Sequence, residues 1–286
     1  MILTIASGKG GTGKTTIAIN LALSLASQQH NLKVLFLDCD VEEPNAHLFL
    51  KPVITRREDV GIMIPQVDEA RCAHHGRCAE VCQYHAIAAL PNMTLVFPEL
   101  CHGCGGCTLE CPEQAIGEVP HIIGIIEEGQ ADPIEFAHGI LNVGEPMATP
   151  IIRQLKRRIS NDYDVAILDA PPGTACPVVE SMRGADFVLM VTEPTPFGLH
   201  DLRLAVQVAR DELSLPVAVL VNHDGVGDAG VDEYCTAEKV PILMRIPLDR
   251  RIAEAYSRGI PLVDALPEYH DQFRTLFSSI IQQAEA

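Results

Sequence analysis

The stretch Ser7-Gly8-Lys9-Gly10-Gly11-Thr12-Gly13-Lys14-Thr15-Thr16 limits what this chain can fold into more than any other part of it. It lies between the apolar run Ile2–Ala6 and the helix-like run Lys14–Gln28, which predicts a strand, a glycine loop and a helix N-terminus. Gly8 to Thr15 fit G-x-x-x-x-G-K-[ST], the loop that wraps phosphate. Gly8, Gly10, Gly11 and Gly13 let the backbone curl until its N–H groups converge on an anion, and the positive end of the helix adds to that field. Lys14 then reaches the β- and γ-phosphates and the Thr15 hydroxyl ligates Mg²⁺, with Thr12 and Thr16 completing the nucleotide contacts. Gly8 to Gly13 also spell G-x-G-x-x-G, but a dinucleotide site has no use for Lys14-Thr15 at the helix start.

With 286 residues, 47% of them hydrophobic, the chain can bury a full α/β core and still carry one modest insertion. A net charge of −17 argues against a nucleic-acid groove or an anionic membrane surface as partner. No apolar run approaches the length of a membrane span, and a strand leading straight into the glycine loop leaves no signal peptide, so the expected compartment is the cytoplasm. Ten cysteines in such a chain point to metal rather than disulfides.

Leu32–Leu37 predicts a second strand, apolar except for Lys33, of the kind buried on both faces of a parallel sheet. It ends in Asp38-Cys39-Asp40, which places carboxylates beside the phosphate loop of a doubly wound sheet. An N-cap is the other role open to Asp40. Val119–Ile126 predicts a strand, Met147–Ile159 a helix, and Val165–Leu168 a third buried strand ending in Asp169-Ala170-Pro171-Pro172-Gly173. Phe187–Val191 and Val217–Val221 read as further parallel strands, with the helix Leu199–Leu213 between them. The tail Tyr269–Ala286 puts Phe273, Leu276, Phe277, Ile280 and Ile281 on one helical face. It sets only Arg274 against Asp271 and Glu285, so it lacks the cationic face of a membrane-surface helix and predicts no stable anchor but a helix packed on the sheet.

Seven of the cysteines lie between Cys72 and Cys111, in a repeat with a 29-residue offset. Cys72, Cys78, Cys82 and Ala86-Ile87 recur as Cys101, Cys107, Cys111 and Ala115-Ile116. Residues 62–119 read as an inserted domain interrupting an α/β domain made of residues 1–61 and 120–286. Cys101-x₂-Cys104-x₂-Cys107-x₃-Cys111-Pro112 is the bacterial ferredoxin run; zinc would explain C-x₂-C pairs but not the third and fourth cysteines. In two-cluster folds the fourth cysteine of each run ligates the other cluster, so Cys101, Cys104 and Cys107 join Cys82, and Cys72 and Cys78 join Cys111. His75 stands where the first run should have its second cysteine, and Gln83 replaces the proline. That site is either a [4Fe-4S] cluster completed by His75 or a [3Fe-4S] cluster, beside a [4Fe-4S] cluster in the second. Cys39, Cys176 and Cys235, outside the run, are expected to be buried, inert thiols.

Lys9, directly after the first glycine, makes KGGTGKTT resemble the deviant Walker A loop of the MinD/Mrp/ParA family, to which the nitrogenase iron protein also belongs. The resemblance implies a doubly wound, mostly parallel α/β sheet carrying a small ferredoxin-like α+β insertion. It implies Mg²⁺-dependent ATP hydrolysis by an ATP-bound dimer, with a second copy or a related ATPase. Lys9 would reach the partner subunit's nucleotide, Asp40 would orient the attacking water, Asp38 would stand behind the Mg²⁺ ligands, and Asp169 would hold a Mg²⁺-bound water. Gly173 would let the following loop respond to the γ-phosphate, while Asn222, Pro247 and Asp249 match adenine-side positions. Thr192–His200 resembles the corresponding loop of ferredoxin-bearing MinD-like ATPases, and Cys176 shares its offset from Asp169 with a cluster-bridging cysteine of the nitrogenase iron protein. The function implied is electron transfer from the clusters to a redox partner, gated by the nucleotide. The alternatives are a carrier or scaffold that passes clusters to an acceptor protein, and a MinD-like positioning switch with redox-sensing clusters, against which the missing cationic tail argues.

Overall fold

The computed structural model describes residues 1–27 and 32–285; Gln28 and Ala286, the expected ends of the first and last helices, lie outside the described residues. The strands are β1 (Ile2–Ala6), β2 (Val34–Asp38), β3 (Val53–Val67), β4 (Ile87–Leu90), β5 (Met93–Val96), β6 (Ile116–Ala131), β7 (Ile134–Leu141), β8 (Val165–Asp169), β9 (Phe187–Thr192), β10 (Val217–Asp224) and β11 (Ile242–Pro247). All but β4 and β5 form one sheet in the order β11-β10-β9-β1-β8-β2-β7-β6-β3. From β11 across to β7 every pairing is parallel. β4 and β5 pair antiparallel on their own.

The central strands are apolar on both faces because helices cover both. Leu3, Ile5, Phe36 and Ile167 face the helices Lys14–Ala26 and Tyr269–Ala284, which bring Ile17, Leu21, Phe273, Leu276 and Ile280 to the same core. Ala6, Val188, Met190 and Val221 face the other way, onto Val178, Met182, Leu202 and Val231 of the helices Cys176–Met182, Pro196–Val206 and Gly230–Glu238. Each strand thus feeds alternate residues to two cores, the period of two that a pleated backbone imposes. Ile281, expected on the buried face of the tail helix, is 37% exposed and lies outside that core. The helix expected over Leu199–Leu213 begins at Pro196, where the Thr195 hydroxyl caps it by accepting from Gly198 N, and widens into a π-turn at Gln207–Glu212. Among the described residues no helix is long and apolar enough to cross a membrane.

The chain divides into two compact units, one of residues 1–57, 126–140 and 151–286, the other of residues 58–125 and 141–150. It passes between them within β3, within β6, at the end of β7 and within the helix Thr149–Lys156. The second unit takes in more than residues 62–119, because Leu141–Pro150 is tied into it. Asn142 donates from its backbone N to Ile123 O at 2.9 Å and from Nδ2 to Ile122 O at 3.2 Å, and His121 Nε2 lies 2.8 Å from Glu145 Oε1.

Candidate functional site

In the first unit the glycine loop runs from the end of β1 into the helix Lys14–Ala26. Gly13 sits at φ +89°, a backbone region closed to most side chains, and turns the loop into the helix. Gly8 has a different duty. A Cβ there would stand 2.2 Å from Asp201 O, so glycine is required by the close approach of the helix Pro196–Val206. Gly8→Ala is therefore expected to cost about 1–3 kcal/mol of stability, whereas Gly10→Ala, facing open space, should leave the melting temperature of the ligand-free protein unchanged.

Lys14 is buried, with Nζ 3.8 Å from Asp169 Oδ1. Asp169 ends β8 directly opposite Asp38 at the end of β2. Among the described residues, neither buried Asp169 carboxylate oxygen nor the buried Thr12 hydroxyl has a hydrogen-bond partner of good geometry, although the Thr15 hydroxyl stands near the Asp169 carboxyl. Such groups are rare in a folded interior, and a hydrated Mg²⁺ with a phosphate chain supplies the partners they lack. Burial pushes the Asp169 carboxyl above its ordinary range, against the pull of Lys14. Asp38 is raised too, by burial and then by Asp169. Its carboxylate accepts from Asp40 N at 3.2 Å, Asn45 N at 3.0 Å and Ala46 N at 3.0 Å, so it ties down the loop that carries Asp40. Asp40 borders the cavity, its carboxyl pushed up to about 6 by burial against the pull of Lys14. It caps no helix; the next one starts at His47.

The cavity, of about 510 Å³, is lined by Gly10 to Ile17, Asp40, Pro172, Asn222, His223, Pro247 to Asp249 and Tyr256. Asn222, expected at the base, also holds the loop: its Nδ2 donates to Thr12 O at 2.8 Å. Asp249, expected beside it, caps the helix Arg250–Ser257 through Arg251 N at 2.8 Å and pairs with the Arg251 guanidinium at 2.6 Å. Lys9 does not line the cavity. Its Nζ lies 2.8 Å from Glu193 Oε2, and Glu193 Oε1 lies 2.9 Å from His223 Nδ1. Burial raises the Glu193 carboxyl, but the bonds from Lys9 and His223 outweigh it and hold it below the usual carboxylate range. Sequence reasoning gave Glu193 and His223 no role. Their only signal was the position of Glu193 in the Thr192–His200 loop and of His223 beside Asn222.

In the second unit Cys72, Cys78 and Cys111 line one cavity. Cys101 lies within electrostatic reach of Cys104, Cys82 and Cys107, while Cys82 and Cys107 also pack with Cys111 against the same small apolar cluster as Cys78. Burial pushes the Cys78, Cys101 and Cys107 thiols up. The 29-residue repeat is a repeat of geometry. Left-handed Gly76 and Gly105 start the helices Arg77–Val81 and Gly106–Leu109 that carry Cys78 and Cys107. Ala86 N and Ala115 N then donate to Cys82 Sγ and Cys111 Sγ, each at 3.3 Å. Soft sulfur donors supported by backbone N–H groups suit iron–sulfur ligation. His75 borders the Cys72/Cys78/Cys111 cavity, but its side chain is half-exposed, with Nε2 3.8 Å from Glu113 Oε1. His74 lies closer to sulfur, its Nδ1 3.6 Å from Cys72 Sγ. All ten cysteines are free; Cys39 and Cys235 are buried as expected, whereas Cys176 is exposed.

The family model described as the CobQ/CobB/MinD/ParA nucleotide binding domain matches residues 3–262. An uncharacterised protein of Methanocaldococcus jannaschii is 32% identical over 266 residues, covering 91% of this chain and 90% of that one. An iron-sulfur cluster carrier protein of Pyrococcus horikoshii is 25% identical over 284 residues, covering 91% of this chain and 78% of its own. Among solved structures, the cell division ATPase MinD of Pyrococcus furiosus superposes with a TM-score of 0.60 at 22% identity, covering 98% of each chain, a likeness of fold. The family match over nearly the whole length, on a chain whose glycine-loop lysine stands beside a buried carboxylate at the end of β8, places this protein in the CobQ/CobB/MinD/ParA family of nucleotide-binding domains.

Proposed function

We propose that this protein is an ATP-hydrolysing, nucleotide-driven dimer whose ferredoxin-like cysteine unit, expected over residues 62–119, holds two iron–sulfur clusters for delivery to an acceptor protein. The observation that carries the reading is the repeated cysteine geometry of the second unit, with Ala86 N on Cys82 Sγ and Ala115 N on Cys111 Sγ, in a chain that also has a phosphate loop. Several relatives at 23–25% identity are named iron-sulfur cluster carrier proteins, which favours delivery over electron transfer. Cys82, Cys101, Cys104 and Cys107 would hold a [4Fe-4S] cluster, while Cys72, Cys78 and Cys111 would hold the other, a [4Fe-4S] cluster with an imidazole such as His75 or a [3Fe-4S] cluster. When bound, the clusters supply the transferable iron and sulfide.

For hydrolysis, the loop N–H groups from Gly10 to Thr16 cradle the phosphates and Lys14 neutralises charge developing on the γ-phosphate. Thr15 and Asp169 are the Mg²⁺-side residues, Asp38 fixes the loop behind them, and Asp40 orients the attacking water. Asn222 and Pro247 border the base. Lys9 acts across the dimer, so it must first leave Glu193. Glu193→Gln weakens that hold, and ATP-dependent dimerisation should rise several-fold by light scattering; a fall would show that Glu193 supports the dimer instead. Asp40 works as the anion, and its carboxyl titrates near pH 6. Hydrolysis should therefore decline as pH falls through about 6, and Asp40→Asn should be inactive throughout with ATP still bound.

The test of function is cluster transfer. Anaerobically purified protein mixed with an apo-ferredoxin and Mg²⁺-ATP should pass its clusters on, faster than without nucleotide. Clusters that stay bound while cycling electrons would overturn delivery in favour of electron transfer. Protein without iron and sulfide would end the cluster reading altogether.

A further inference from the structure

The second unit holds a group of donors whose spacing does not suit a cluster. Glu69, Cys72 and His74 each offer one ligand atom, and the three atoms lie within 4.8 Å of one another. Cys72 Sγ and His74 Nδ1 are 3.6 Å apart. Two donors on one tetrahedral zinc, with sulfur at about 2.3 Å and nitrogen at about 2.0 Å, stand about 3.5 Å apart. In an iron–sulfur cluster each iron takes its own protein ligand, so two ligands of one cluster are held well beyond that contact.

The surroundings support the same three residues. Thr94 N donates to Glu69 Oε1 at 3.0 Å, which leaves Oε2 free to bind a cation, and the Thr94 hydroxyl lies 3.6 Å from Cys72 Sγ. Oε2 also lies 3.8 Å from His74 Nε2, on the ring edge away from Cys72, so the nitrogen His74 offers to a metal shared with Cys72 is Nδ1 and Glu69 must turn to join it. His74 adopts φ +53°, unusual for a residue with a side chain, and this turns its ring toward Cys72 while the next ring, His75, goes to Glu113. Cys72 N donates to Asp68 O at 3.0 Å and Ala70 N to Asp68 Oδ1 at 3.0 Å, so a tight turn sets Glu69 and Cys72 close together.

We propose that Glu69, Cys72 and His74 form a mononuclear site for a zinc-class divalent cation, exclusive of any cluster that uses Cys72. One thiolate, one imidazole and one carboxylate are the mixed donors zinc accepts, and three protein ligands leave a fourth position for water. Because Cys72 serves one metal at a time, zinc here blocks loading of the Cys72/Cys78/Cys111 group. The competition rests on the cluster reading above; the site itself does not.

The experiment titrates cluster-free, reduced, full-length protein with Zn²⁺ against a chromogenic chelator, with Co²⁺ as spectral probe. The Cys82/Cys101/Cys104/Cys107 group is expected to take one equivalent in every variant named here, and wild type should take a second. His74→Ala and Cys72→Ser should lose that second equivalent, and Glu69→Gln should weaken it by about tenfold or more. His75→Ala and Cys78→Ser should keep it. Survival of the second equivalent in His74→Ala, or its loss in Cys78→Ser, would overturn the proposal. The Co²⁺ spectrum of wild type is a check that needs no variant: the second equivalent should show the charge-transfer intensity of one thiolate, and intensity of three or more would overturn it. Iron and sulfide measured in protein purified without chelator score the cluster reading separately, since their absence would sink that reading and leave the zinc result standing.

Discussion

Lys14→Ala is expected to raise the Kd for ATP by roughly 100-fold or more, from the loss of about 3 kcal/mol in charge-assisted hydrogen bonds to phosphate. The ammonium is buried and is the cation beside the buried carboxylate of Asp169. Without it, the phosphates would lose the cation that stands beside the opposed carboxyls of Asp38 and Asp169. Calorimetry with Mg²⁺-ATP measures the effect, and binding within a few-fold of wild type would remove Lys14 from the site. The same pair sets a pH signature. Both carboxyls are raised above their unfolded values by burial, so the native state holds protons that the unfolded chain has released. Stability of the ligand-free protein should therefore be greatest in mild acid and fall as pH rises past the ordinary carboxylate range. Lys14→Ala should steepen that fall, because Lys14 now pulls the Asp169 carboxyl down.

Cys82→Ser and Cys104→Ser are expected to remove the same cluster, although the two residues lie in different cysteine runs. Cys82 and Cys104 both lie within electrostatic reach of Cys101, whereas Cys111, in the run of Cys104, lines one cavity with Cys72 and Cys78. Either change should lower iron and sulfide by about half, and the double variant should lose no more, since one broken ligand set accounts for both. Cys111→Ser should remove the other half. Additive losses from Cys82→Ser and Cys104→Ser would mean that the thiols do not pair across the runs.

Much of this was legible because it is local. Strand, glycine loop and helix start follow one another within a few residues, and Asp38 and Asp169 are visible as the acidic ends of apolar strands. What sequence could not reveal depends on contacts between distant residues. The Lys9–Glu193 pair spans 184 positions and the Asn222–Thr12 bond 210, and neither leaves a periodicity to read. Gly8 looked like a phosphate-loop glycine, but its need for hydrogen in place of a side chain comes from Asp201. Counting cysteine spacings selects His75 as the odd ligand; the left-handed backbone at His74 brings the other ring to sulfur. The composition shift between residues 62 and 119 was visible, but Leu141–Pro150 joins that unit through hydrogen bonds that no composition betrays.

The strand order has a consequence for a chain made from its N-terminus. β1, which carries the glycine loop, pairs with β8 and β9, so its first neighbour is complete at Asp169 and it is flanked on both sides only once Thr192 has been made. The unit that bears the thiols contains no residue beyond Pro150. At translation rates of ~5–20 residues per second, the thiols are complete roughly 2–8 s before the strand beneath the phosphate loop is secured. A nascent chain can therefore meet metal before it can meet nucleotide.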